Sequence, residues 1–180
     1  MAVASEPLRT RRAVLGCLCL PALSSLVAAA PGDKAVIGSL APNFALMDTD
    51  GQPHVLANAL RSQRVIVVNF WATWCGPCIR ELPEFDQVYG VLRGQGLAMF
   101  GINAGETAAK VAAFARDLAV SFPLLHDPGA AVQAAYGAGP GLPVTLLIDA
   151  KGVVRQRLNA ATTGGALRGR VLGLLNERTQ

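Results

Sequence analysis

Two cysteines stand three residues apart in Trp74-Cys75-Gly76-Pro77-Cys78, immediately behind the apolar run from Val65 to Phe70. A run of that kind reads as a buried strand, so the pair falls at a strand-to-helix junction. There the first thiol sees unpaired backbone N–H groups and the positive end of a helix dipole, which favour thiolate over thiol. Cys75 is thus the expected nucleophile. Cys78, at i+3 on the same helix face, is the expected resolving thiol. Pro77 is tolerated because the first helical turn has no intrahelical N–H bond to lose. Gly76 leaves room for an incoming polypeptide backbone. The chemistry these residues can do is thiol-disulfide exchange.

The elements that must hold them follow from hydrophobic period and turn chemistry. Phe44–Met47 and Val55–Leu56 flank Asp48-Thr49-Asp50-Gly51-Gln52-Pro53 and predict an N-terminal β-hairpin. A strand over 65–71 leads into a helix over 75–92, closed by Gly94 and Gly96, and a second buried strand covers 97–102. Helical spacing recurs over 107–118, 129–136 and 167–176. Strands over 144–148 and 153–157, joined by Asp149-Ala150-Lys151-Gly152, predict a second hairpin. This order predicts an α/β fold: a mixed central sheet flanked by helices in three layers.

The chain of 180 residues carries a formal charge of +4. Arg9, Arg11 and Arg12 precede an uncharged stretch over 13–30 that ends in three alanines. This has the form of a secretory signal, and Thr10-Arg11-Arg12-Ala13-Val14-Leu15 looks like a twin-arginine export signal. Cleavage near Ala29 or Ala30 is favoured over retention as a membrane anchor. The expected organisation is a signal peptide or anchor over 1–30, a linker over 31–39 and one domain over 40–180. Removing residues 1–30 takes away three Arg and one Glu and leaves +2 of the formal +4. The remaining Lys and Arg are scattered singly, which argues against nucleic acid as a partner. Cys17 and Cys19 leave with the signal, so the exported body keeps just Cys75 and Cys78. A lone adjacent pair is no disulfide framework and points to catalysis.

The segment from Val68 to Pro83, containing Trp71-Ala72-Thr73-Trp74-Cys75-Gly76-Pro77-Cys78, resembles the exported TlpA/ResA/DsbE-like thiol-disulfide oxidoreductases of the thioredoxin superfamily. Asn103-Ala104-Gly105-Glu106, Phe122-Pro123-Leu124-Leu125 and the run from Leu142 to Asp149 are similar to the same family. The resemblance spans about 38–177 and implies a thioredoxin-like fold. It implies that Pro143 is a cis proline facing the thiols; taken alone, an ordinary trans proline opening a strand satisfies the pattern. Trp74, Gly76, Pro77 and Leu142 would line the substrate groove, with Trp74 an apolar lip and Trp71 equally suited to the core. Asn69 stands where cytoplasmic thioredoxins carry a buried Asp, and an amide cannot titrate. The resemblance gives that proton-transfer role to Glu81, although an acid in a first helical turn is ordinarily a solvated dipole partner. Glu106 is explained equally by a helix N-terminus.

The resemblance further implies a monomeric reductant of client-protein disulfides. It would draw electrons from a membrane thiol transporter of the DsbD/CcdA type, act in the bacterial periplasm or on the extracytoplasmic face, and need no organic cofactor and no metal. The clients implied are apocytochrome c or copper-site cysteines. Three rivals remain in view. A disulfide-introducing oxidase shares the fold, but DsbA-like proteins carry a helical insertion for which there is no room. A peroxiredoxin needs Pro-x-x-x-Thr-x-x-Cys, which the chain lacks. A transient copper-binding module could use the soft Cys75 and Cys78 thiolates, without the second ligand pair of a closed zinc site.

Overall fold

β3 (Val65–Trp71) is buried at every position, as its unbroken run of apolar residues around Asn69 requires of a strand covered on both faces. In the computed structural model, which describes Met1 and residues 35–177, β3 is the middle of a five-stranded sheet. β4 (Leu97–Ala104) and β5 (Leu124–Asp127) extend it in parallel, while β6 (Val144–Asp149) and β7 (Val154–Leu158) extend it antiparallel on the other side. A separate hairpin pairs β1 (Ala45–Met47) with β2 (Pro53–Val55) and runs into the single turn α1 (Leu56–Ala59). The helices are α2 (Gly76–Leu92), α3 (Ala108–Leu118), α4 (Ala131–Ala135) and α5 (Gly164–Asn176).

The pleat of β3 sorts its side chains into two cores. Val65, Val67 and Trp71 pack with Leu82, Phe85 and Val88 of α2 and Leu167 and Val171 of α5. Ile66, Val68 and Phe70 pack on the opposite face with Phe44, Leu56 and Tyr136. Asn69 belongs by parity to the α2 face, which aims its amide at that helix. α5 closes against α2 through Gly164, where an added Cβ would lie 2.9 Å from the Glu84 carbonyl oxygen.

The three-layer α/β arrangement with an N-terminal hairpin is the expected one, with local corrections. The segment 124–127, unassigned from sequence, is the edge strand β5: four residues after a proline give too short a period to recognise, and pairing with β4 supplies the order. Leu56 starts α1 instead of ending a strand. α4 occupies 131–135 of the expected 129–136, entered through Ala130 at φ 51°. α5 begins three residues early because the Thr163 hydroxyl caps it by accepting from Ala166 N–H. Ala35 is buried, and the Gly38 N–H donates to the Val154 carbonyl, so residues 35–39 lie against β7. The expected signal segment 1–30, apart from Met1, and residues 31–34 lie outside the described residues. Among the described residues no helix is long and apolar enough to cross a membrane.

Candidate active site

Strand direction and register gather the site at one edge of the sheet. β3 and β4 run parallel with Trp71 opposite Asn103, so the loops after both emerge together. β6 runs antiparallel with Val144 opposite Phe70, so Pro143, immediately before it, arrives at the same edge. The carboxyl edge of parallel strands is where α/β sheets place their ligands.

Cys75 and Cys78 are joined as a disulfide. Cys75 is the N-cap of α2, and its Sγ accepts the Cys78 N–H at 3.3 Å. An orphan N–H of the first helical turn is therefore aimed at the first sulfur, in support of a thiolate there. Cys75 retains 4% exposure against 0% for Cys78, so the first cysteine is the less buried of the two. Gly76 and Pro77 are exposed beside it, and Trp74 is 63% exposed, a large apolar side chain held in solvent next to the reactive sulfur. The Leu142–Pro143 bond is cis, Pro143 is buried and Leu142 half-buried. Trp71 is core: fully buried, packed on Phe114 with ring centroids 6.2 Å apart.

Glu81 is 3% exposed and sits one turn along α2 from Cys78. It is not the solvated dipole partner that its place in the sequence allows. Asn69 Nδ2 donates to its Oε1 at 2.9 Å, and Thr162 N–H donates to its Oε2 at 3.0 Å. Burial pushes its carboxyl above the usual range, with the nearby Glu84 adding to the rise, and the two hydrogen bonds counter it in part. Asn69 Nδ2 also donates to Thr145 Oγ1 at 3.0 Å, whereas its Oδ1 is buried without a donor. The site thus contains a carboxyl whose proton is held more tightly than usual, one helical turn from Cys78.

Glu106 has more partners than a helix N-terminus requires. Its carboxylate is 8% exposed and takes four donors: Thr73 N–H at 2.7 Å, Thr73 Oγ1–H at 2.6 Å, Asn103 Nδ2 at 2.9 Å and Lys110 Nζ at 2.5 Å. Burial alone would raise its pKa, but these partners bring it from 4.5 to about 2. The signal in the chain was the Asn-x-x-Glu spacing after β4, which lets Asn103 both donate to Glu106 and accept its N–H. His54 and His126, expected on the surface or in turns, lie on β2 and β5; His54 pairs with Asp48 at 2.7 Å. Among the described residues no group of three or more His, Cys, Asp or Glu side chains is arranged to hold a metal ion.

Comparison with known proteins agrees with this geometry. Residues 37–157 match the model of the AhpC/TSA family. The thiol-disulfide oxidoreductase ResA of Geobacillus thermodenitrificans is 39% identical over 127 residues, 71% of each chain. Among solved structures, a thiol:disulfide interchange protein of the thioredoxin family from Chlorobium tepidum superposes with a TM-score of 0.70 at 25% identity, over 81% of this chain and all of that one. A secreted Mycobacterium tuberculosis disulfide oxidoreductase homologous to DsbE gives 0.63 at 25% identity, over 72% of this chain and 95% of that one. A buried Cys75–Cys78 disulfide at a helix start, a cis proline at the same sheet edge and these relatives lead to one assignment: the chain belongs to the AhpC/TSA family and, within it, to the ResA-like thiol-disulfide oxidoreductases of thioredoxin fold.

Proposed function

We propose that this oxidoreductase is exported and works as a reductant of disulfides in client proteins, with apocytochrome c or copper-site cysteines as clients. The observation that carries its chemistry is the Cys78 N–H directed at Cys75 Sγ, with the buried Glu81 carboxyl one helical turn beyond Cys78. In the reduced protein the Cys75 thiolate attacks a client disulfide, forms a mixed disulfide and releases one client thiolate. Glu81 takes the Cys78 proton, and the Cys78 thiolate attacks Cys75 Sγ. The second client thiolate leaves, and two electrons have passed to the client, with the Cys75–Cys78 disulfide as product. A membrane dithiol transporter of the DsbD/CcdA type returns the protein to the reduced state; no organic cofactor or metal takes part. Trp74, Gly76, Pro77 and Leu142 receive the client chain, and Pro143 presents its preceding backbone to it. The monomer suffices for this cycle. Export is supported by the Arg-flanked apolar segment over 13–30 and by the secreted relative, and the reducing direction by the Gly-Pro dipeptide shared with thioredoxin.

The test is a Cys78→Ser variant expressed in cells with its own N-terminus. It is expected to hold clients as mixed disulfides on Cys75 outside the cytoplasm, recovered by non-reducing electrophoresis and identified by mass spectrometry. Capture of cytochrome c or copper-protein precursors supports the client assignment. Equilibration of the wild-type pair with a glutathione or dithiothreitol buffer gives the direction, and a potential as oxidising as that of DsbA would overturn the reductant role. Stoichiometric copper retained against a competing chelator would favour the metal-binding alternative instead.

A further inference from the structure

We propose that Glu106 is a positioning residue for the redox loop, clamping Thr73 so that Trp74 and Cys75 stand ready to receive a polypeptide disulfide. A helix-terminus explanation of Glu106 fails on geometry. The N-cap of α3 is Thr107, whose Oγ1 accepts Lys110 N–H. Glu106 lies before the cap, and its carboxylate turns away from the α3 backbone toward the loop that follows β3. Its hold on that loop is two-point: Oε2 accepts the Thr73 backbone N–H and Oε1 accepts the Thr73 hydroxyl. With Asn103 on Oε2 and Lys110 on Oε1, every lone-pair direction of the carboxylate has a donor.

The clamp acts on a turn that contains the reactive group. Cys75 N–H donates to the Ala72 carbonyl at 3.0 Å, which makes Thr73 and Trp74 the two central residues of a β-turn ending at Cys75. Glu106 holds the Ala72–Thr73 peptide plane through the Thr73 N–H and the Thr73 rotamer through its hydroxyl, which anchors the residue that leads into Trp74. It thereby sets the direction of a 63% exposed indole beside the sulfur. An exposed aromatic anchor contributes to docking when its stance is set beforehand, because the ordering entropy is not then lost on binding. Glu106 itself is held from behind. Gly105, at φ 77°, turns the chain out of β4 and donates to the Asp127 carbonyl at 3.1 Å, and Asn103 Oδ1 accepts the Glu106 N–H at 3.3 Å. β4 and β5 thus carry a rigid carboxylate to the loop after β3.

The inference rests on the thiol-disulfide exchange assigned above and concerns substrate size. A small disulfide needs the sulfur alone, while a polypeptide needs the lip as well. The experiment reacts pre-reduced protein, freed of reductant, with insulin and separately with the small disulfide DTNB under stopped flow. Glu106→Gln and Thr73→Val are expected to lower the insulin rate constant at limiting substrate by about tenfold or more, through weaker saturation, while the DTNB rate stays within about threefold of wild type. Thr73→Ser, which keeps both donors, is expected to restore insulin reduction. Folded Glu106→Gln and Thr73→Val proteins with insulin rates within about twofold of wild type would overturn the proposal. An equal loss on both disulfides would do so too, since it would mean that Glu106 acts on the thiol; so would a serine variant as slow as the valine one. If Glu106→Gln fails to fold, Thr73→Val decides, because it leaves the carboxylate with its Asn103 and Lys110 partners. A wild-type protein inert toward both disulfides would instead remove the underlying activity assignment.

Discussion

Asn69 Nδ2 donates to Glu81 Oε1 at 2.9 Å, while the Oδ1 of the same buried amide meets no donor. The amide presents its donor side because the carboxylate it faces accepts. When Glu81 takes a proton, rotation of the amide would turn the oxygen toward the new O–H. Position 69 thus holds the hydrogen-bond partner of a buried acid.

Glu81→Gln is therefore expected to fold, with Asn69 turned to accept from the new amide. Mixed-disulfide formation by Cys75 should be little changed. The resolving step should slow by about a hundredfold, the scale of a lost general base. Stopped-flow rates measured against pH should show a carboxyl titration above 4.5 in the wild type and none in the variant. A variant that resolves as fast as wild type would remove Glu81 from proton transfer.

Glu81 also sets a pH dependence of stability. Its folded-state pKa lies above its ordinary 4.5, so between the two values the native protein binds more protons than the unfolded chain. Its contribution to stability therefore falls as pH rises through that window. Asn69→Asp should accentuate the trend by placing a second carboxyl against the first, so that the pair shares one proton. Urea unfolding should find this variant destabilised by about 3 kcal/mol at pH 8 and much closer to wild type at pH 5.

Glu106 has the opposite sign. Its pKa falls from 4.5 to about 2 on folding, so the unfolded chain binds more protons in between, and stability rises with pH there. At neutral pH the Glu106 carboxylate, held by Lys110, Thr73 and Asn103, contributes to stability by linkage, and that contribution is lost as pH falls from 4.5 toward 2. The stability gap between wild type and Glu106→Gln in urea should be widest above pH 5 and close in strong acid.

Gly164→Ala places a Cβ 2.9 Å from the Glu84 carbonyl oxygen and 3.1 Å from Glu84 Cβ, where α5 meets α2. Because backbone has to move, the variant should lose about 1–3 kcal/mol. At neighbouring Gly165 an added Cβ meets nothing within 4 Å. Gly165→Ala should therefore be neutral or gain up to about 1 kcal/mol from helix propensity. Equal effects at the two positions would contradict this packing of α5 on α2.

Much of the chemistry was legible along the chain. The Cys75-Gly76-Pro77-Cys78 spacing, the apolar run ahead of it and the helix behind it are local features, and they place a thiol at a helix N-terminus whatever the remainder does. The periods of β3, α2, α3, β4 and α5 are equally local, and the structure reproduces them within a few residues. β5 escaped because an edge strand of four residues has no period of its own; its partner β4 defines it.

What the tertiary structure alone decided is which distant groups pair with one another. Glu81 and Asn69 are 12 positions apart and Thr73 and Glu106 are 33 apart, and no periodicity links either pair. A carboxylate in the sequence can be a solvated helix partner or a buried functional group, and burial with its hydrogen-bond donors makes the difference. Burial comes from the sheet: the pleat of β3 turns Asn69 toward α2, and the parallel register of β3 with β4 brings Glu106 to the redox loop. The sequence by itself determined the reactive pair and the fold class, because both rest on short-range spacing. The sheet's register determined which distant partners the Glu81 and Glu106 carboxyls find.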